Sequence, residues 1–178
     1  MNWIKKSLRF VLVLMLAPVS SQFAQKAITI KGSDTMVLLG QRWAEAYMKK
    51  NPSSRIQVTG GGSGTGIAAL INGTTDICEA SRPMKDKEKD EVKTKRNAAV
   101  VEIPVAVDGL AIYLNSANSI KELSVEQTKG IYTGKITNWK DVGGKAGMII
   151  AYSRENNSGT YAYFKEHVLG NADFYPTI

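Results

Sequence analysis

Apolar and polar positions alternate in blocks along this chain, and the period of the alternation changes from block to block. Ala27-Ile28-Thr29-Ile30 is a short apolar run that predicts a strand. Gly32-Ser33-Asp34-Thr35 follows, and then Met36, Leu39, Trp43 and Tyr47 recur at helical spacing until Asn51-Pro52 stops them. Residues 55–59 predict a second strand, 60–66 a glycine-rich loop, and 67–71 a short helix closed by Asn72-Gly73. A third strand over 76–79 runs into Ala80-Ser81-Arg82-Pro83. The charged segment 85–97, with Glu91 and Lys95 one turn apart, reads as a solvated helix face.

Beyond it, 98–107 is a long β-rich run broken by Pro104, and 109–114 continues as a strand. Residues 124–132 are helical, and 135–144 form a polar loop holding Trp139. Gly147-Met148-Ile149-Ile150-Ala151 predicts a short buried strand. After it Tyr161, Phe164, Val168 and Leu169 return to helical spacing. Strands alternating with helices predict an α/β fold, with a mostly parallel sheet covered on both faces. The β-rich run between two sets of βα units is a candidate crossing from one lobe to another.

The first residues follow a different logic. Residues 1–9 are basic, 10–17 are apolar, and small residues follow at Val19-Ser20-Ser21 and Ala24. This is the pattern of a secretory signal peptide, cleaved after Ser21 or Ala24 and too short for a comfortable membrane anchor. Lys5, Lys6 and Arg9 supply three of the chain's seven net positive charges, so the mature part carries +4. That excess suits an anionic ligand weakly, and no basic run interleaved with aromatics points to nucleic acid. The single cysteine, Cys78, allows no internal disulfide and makes a cysteine metal site implausible; its apolar run predicts a buried, inert thiol.

The candidate chemistry lies at three strand-to-helix junctions. Gly32-Ser33-Asp34-Thr35, Gly62-Ser63-Gly64-Thr65 and Ser158-Gly159-Thr160 each place hydroxyls and small residues at a predicted helix start. One such junction is ordinary capping. Three on alternating βα units would gather at the carboxyl ends of the strands, where helix N–H groups and dipoles favour an anion. Arg154, just ahead of the third junction, offers a planar fork that can grip two oxygens of an oxyanion.

Other chemistries fit less well. The glycine stretch lacks the lysine of a nucleotide P-loop. Gly64-Thr65-Gly66-Ile67-Ala68-Ala69 matches the looser dinucleotide pattern, but no acidic residue sits clearly at the end of the next strand about 20 residues on. The one histidine, His167, reads as a surface residue near a helix C-terminus. Neither a catalytic set nor a cofactor or metal site is predicted.

Taken together, the export signal, Gly-Ser-Asp-Thr, Gly-Gly-Gly-Ser-Gly-Thr-Gly, Ala-Ser-Arg-Pro, the stretch from Ile131 to Trp139 and Arg-x-x-x-Ser-Gly-Thr resemble the phosphate-binding proteins of bacterial phosphate ABC transporters. The resemblance covers the mature chain in order. It implies a class II periplasmic binding protein, non-enzymatic and periplasmic or otherwise secreted, whose two lobes close over inorganic phosphate and deliver it to a membrane permease. Residues 1–24 would be the signal peptide, 25–104 a first α/β lobe and 105–178 a second. Phosphate would be held by Ser33, Asp34, Thr35, Ser63, Arg154, Ser158, Gly159 and Thr160, with Ser81 and Arg82 lining the cleft.

Two departures accompany the resemblance. Many members carry an aspartate beside the serine of the Ala-Ser-Arg-Pro segment, to accept the proton of hydrogen phosphate; here Arg82 follows Ser81. Asp34 could take that role, or it could simply cap a helix. Members also return from the second lobe to complete the first, so a chain ending at Ile178 implies a truncated member or fragment with an incomplete second lobe. An exported phosphatase-like enzyme, or a sensing or adhesion protein, on the same fold are the alternatives.

Overall fold

The computed structural model describes residues 26–178; the proposed signal peptide lies outside the described residues. Three strands, β1 (Ile28–Gly32), β2 (Ile56–Thr59) and β3 (Ile77–Glu79), form a parallel sheet in the order β2-β1-β3. Ile28 lies opposite Ile56 in one pairing, and Ile30 opposite Ile77 in the other. Parallel neighbours need crossovers, and helices α1 (Asp34–Lys50) and α2 (Ser63–Ile71) supply them. This is the α/β arrangement that the alternating pattern predicts.

The two helices cover opposite faces. On β3 the Cys78 sulfur reaches Gly66 of α2, whereas the Glu79 carboxylate reaches Gly40 of α1. Adjacent strand residues point to opposite sides of a sheet, so the helices must too. The α2 side holds the apolar core: Ile67, Ile71, Met84 and Val92, with Leu70, Cys78 and Val100 packed against them. Val92 belongs to α3 (Asp86–Arg96), the charged segment, which leaves its remaining faces to solvent. Cys78 is half-buried rather than fully buried. Burial still pushes its thiol up to about 11, which keeps it protonated and unreactive.

Three predicted features are corrected. The stripe on α1 is displaced: Gly40 and Ala44 are its buried positions, while Trp43 and Tyr47 lie about half exposed. Small residues win there because the helix must approach β3 closely, and a side chain at Gly40 would collide with the Glu79 carboxylate. Second, α2 starts at Ser63 rather than at residue 67. Third, the apolar runs at 98–107, 109–114 and 147–151 do not form ladders. Among the described residues, strand pairing is confined to β1, β2 and β3, with one isolated antiparallel bridge between Asn138 and Met148. Propensity marks a segment that suits a pleated sheet, but a strand also requires a hydrogen-bonding neighbour. Without one, Val101, Ile103, Val107, Met148 and Ile150 stay exposed, and Glu102 ties its run to Met84 N–H, just ahead of α3, and to Lys89 of α3.

The later part of the chain has its own small centre. Helix α4 (Val125–Tyr132) opens with a capping box in which Ser124 Oγ accepts from Gln127 N–H and Gln127 Oε1 accepts from Ser124 N–H. Helix α5 (Gly159–His167) packs Phe164 against Tyr132 and Phe174, and Leu169 just beyond the helix is fully buried. His167 is exposed at the end of α5, as its position predicts, with its ring tilted against Tyr163.

Glu79 is the anomaly of this fold. It is buried, and its Oε2 has no hydrogen-bond partner among the described residues. Desolvation raises its pKa above the ordinary 4.5. A carboxyl raised in the folded state binds its proton more tightly there than in the unfolded chain. Its stabilising contribution is therefore full below pH 4.5 and is lost as pH climbs through the folded value. Glu79→Met is expected to raise stability by about 1–3 kcal/mol at pH 8 and by clearly less at pH 4, measured by urea unfolding of both proteins. An identical difference at the two pH values would contradict the assignment.

Candidate functional site

The first junction begins where β1 ends. Ser33 N–H donates to the Glu79 carbonyl at 2.8 Å, which ties the start of α1 to the end of β3. Ser33 occupies the N-cap position, yet its hydroxyl accepts from none of the backbone N–H groups of α1. It turns instead toward Thr35 Oγ1, 2.6 Å away, and toward Ser81 Oγ. Thr35 Oγ1 and Ser81 Oγ are themselves 2.5 Å apart, so three hydroxyls from two segments form one knot. Ser33 is almost completely buried, and a buried hydroxyl must find a partner.

The second junction fastens to the same knot. Gly62, with φ of 87°, turns the chain into α2 in a conformation that suits glycine. Ser63 follows, fully buried, and its Oγ accepts from Ser81 N–H at 3.0 Å. The third junction lies directly on top. A methyl at Gly159 would collide with Ser63 Oγ and press on Ser81 Cβ, so the first turn of α5 rests on both serines. Ser158 is also buried, and its Oγ accepts from Thr160 N–H at 3.2 Å as an N-cap. The N-termini of α1, α2 and α5 thus meet, together with the hydroxyls of Ser33, Thr35, Ser63 and Ser81.

Arg154 is held beside this cluster by two carboxylates. Its Nη2 donates to Asp34 Oδ2 at 3.4 Å and its Nε to Glu155 Oε2 at 3.3 Å. Asp34 does more than favour the start of α1, because its Oδ1 accepts from Gly61 N–H at 2.8 Å. One side chain therefore links α1, the glycine loop and Arg154. The Glu155 carboxyl is lowered first by a hydrogen bond within its own residue and then by Arg154, which keeps it ionised near neutral pH. Asn157 adds three further ties. Its Nδ2 donates to the Gly61 carbonyl at 2.9 Å and to Thr65 Oγ1 at 3.1 Å, and its carbonyl accepts from Gly64 N–H at 2.9 Å.

Nine of the ten residues singled out from the sequence are gathered here. Arg82 lines the same cavity as Ser81 and Arg154, but its guanidinium is not part of the cluster. Its two terminal nitrogens grip Glu88 at 2.8 and 2.7 Å, and it also donates to the Pro83 carbonyl. The pairing raises Arg82 and lowers Glu88 from their ordinary ranges, chiefly through those hydrogen bonds. A half-buried fork with a carboxylate in its grip is committed to α3 and not to the hydroxyl knot. Asn157 was not singled out, since two of its three ties involve backbone groups that carry no residue-type signal. Asn157-Ser158-Gly159 beside a glycine-rich loop was the available hint.

Chemically, the cluster offers donors: hydroxyls, helix N–H groups and a guanidinium, with Asp34 and Glu155 as the nearby acceptors. Such an arrangement suits a small oxyanion.

Comparison with known proteins agrees in kind. Residues 17–174 match the sequence profile of the PBP superfamily domain. The chain is 38% identical over 150 residues to "Phosphate-binding protein PstS" of Bacillus subtilis (strain 168), a match covering 84% of this chain and 48% of that protein. With the protein of the same name from Pseudomonas aeruginosa (strain PAO1) the identity is 35%, over 83% of this chain and 49% of the relative. Among solved structures, a putative phosphate ABC transporter substrate-binding protein with bound phosphate from Clostridium perfringens superposes with a TM-score of 0.72 at 37% identity, covering 80% of this chain and 56% of that one. An ABC-type phosphate transport receptor from Vibrio cholerae gives a TM-score of 0.66 at 35% identity, over 85% and 61%. The chain spans about half the length of the curated relatives it matches. With the profile running through nearly all of its described residues, this chain belongs to the PBP superfamily.

Proposed function

We propose that this chain binds inorganic phosphate outside the cytoplasm, for delivery to the membrane permease of an ABC-type importer. The observation that carries the reading is the meeting of three helix N-termini and four hydroxyls at one place, with Arg154 tethered alongside. The names of the relatives support it independently. In this reading phosphate is held by Ser33, Thr35, Ser63, Ser81, Arg154, Ser158, Gly159 and Thr160. The boundary between lobes falls near residue 104, so the ligand lies between 25–104 and 105–178. Residues 1–24 serve export. Binding and release are the whole activity, with no chemical step.

The hydroxyl knot supports binding by exchange. Among the described residues the hydroxyls of Ser33, Thr35 and Ser81 have only one another as partners, and neutral hydroxyls are weak acceptors. A phosphate oxygen gives each O–H a charged acceptor, and such bonds are shorter and stronger than neutral ones. Arg82 supports the site indirectly: by gripping Glu88 it fixes the turn that presents Ser81.

Asp34 has the lone pairs to meet a proton of phosphate. Two of them are engaged by Gly61 N–H and Arg154, and a carboxylate has about four acceptor sites. Sulfate carries no proton and would face Asp34 oxygen against oxygen, which discriminates against it.

Calorimetric titration with phosphate, with sulfate as competitor, tests the reading. Saturable one-to-one phosphate binding that sulfate displaces poorly is expected; heat from neither anion would refute it. In the same assay Arg154→Ala should weaken phosphate by about 1.5–3 kcal/mol, the range for a hydrogen bond to a charged group. Arg154→Lys should restore part of that loss, lacking the fork. Asp34→Asn is expected to weaken phosphate while narrowing the gap to sulfate. An equal loss for both anions would reduce Asp34 to a holder of Arg154 and the glycine loop.

A further inference from the structure

Every hydrogen bond of Asn157 runs to a segment more than 90 residues away in sequence: to Gly61, Gly64 and Thr65. The contact is also sterically tight. A methyl on Gly62 would lie 2.9 Å from the Asn157 carbonyl oxygen, and one on Gly64 would lie 3.2 Å from it. Side-chain amide and backbone carbonyl together close one seam, with the amide serving two acceptors while the carbonyl takes the Gly64 proton. Asparagine suits this place because it brings both N–H donors without charge; aspartate would set a carboxylate against the Gly61 carbonyl.

We propose that Asn157 is a latch: a positioning residue that holds the 154–160 turn against the glycine loop and so sets how fast a bound anion escapes. The inference rests on the oxyanion reading above and deepens it. Arg154 precedes Asn157 by three residues, and Ser158 and Gly159 follow directly. Release of an anion gripped from both sides requires the turn and the loop to part, and parting breaks the three Asn157 bonds. Capture proceeds from the parted arrangement, before those bonds form. Loss of the latch therefore raises Kd through dissociation and leaves association nearly unchanged.

The full chain, Asn157→Ala and Gly64→Ala provide the test, with Thr65→Val as a milder variant that removes one bond without changing side-chain shape. Two quantities are measured: stopped-flow rates with inorganic phosphate, and amide hydrogen exchange at Gly64 without any anion. Asn157→Ala is expected to release phosphate about five- to thirtyfold faster, as the loss of two net hydrogen bonds implies, with association changed less than about twofold. Gly64 exchange should quicken with no change at Ile67 and Ile71, which reports that α2 stays folded. Gly64→Ala, which presses on the same carbonyl from the other side, should also speed release, and Thr65→Val should do so by about threefold. Unchanged release in Asn157→Ala, or a weaker affinity arising wholly from slower association, would overturn the latch. If the unmodified chain binds no phosphate, the anion reading fails by itself. Gly64 exchange then decides the latch alone, and equal exchange in the chain and in Asn157→Ala would overturn it.

Discussion

Buried hydroxyls must be satisfied, and that requirement draws this site together. Ser33, Ser63 and Ser158 are all withdrawn from water. Two of them depend on Ser81, which shares its hydroxyl with Ser33 and donates its N–H to Ser63. An unpartnered hydroxyl in such a position costs about 1–3 kcal/mol, so α1, α2 and the turn after β3 are fixed relative to one another. Gly159 then allows α5 to settle on the same serines, where any side chain would collide. The arrangement follows from small residues and hydroxyls and owes little to the apolar core.

Charge shapes the site differently. Arg154 faces two carboxylates, Asp34 and Glu155, so the cluster is not a simple positive patch. On the proposed function, an incoming anion would compete with those carboxylates for the guanidinium and gain hydroxyl and helix N–H donors at the same time. On that proposal selectivity would rest on placed donors and a placed acceptor, with the chain's modest net charge left to help encounter.

Much of this was legible in the sequence. The βα alternation gave the parallel sheet, and the three Ser/Gly/Thr junctions named the helix starts that converge. Two kinds of information were missing. The runs at 98–114 and 147–151 have strand composition, but pairing is a property of neighbours, and none of the described residues supplies them a parallel partner. The buried face of α1 was misplaced because Gly40 and Ala44 carry little hydrophobic signal, while Trp43 and Tyr47 carry much. Arg82, expected along the cleft by resemblance, lines the same cavity as Ser81 and Arg154, but its guanidinium is taken by Glu88, six residues on. The role of Asn157 carries little signal in the sequence because two of its three partners are backbone groups of glycines, which look the same in every residue.

The central claim is that three helix starts make one anion site, and amide NMR tests it most directly. Phosphate is added stepwise to the isotopically labelled chain while the resonances of Thr35, Gly64, Thr65, Gly159 and Thr160 are followed. The account predicts that all of them shift along one binding curve with a single midpoint, whereas Glu91 and Lys95 on the solvated face of α3 stay in place. Shifts confined to one helix start, or separate midpoints at different starts, would contradict it.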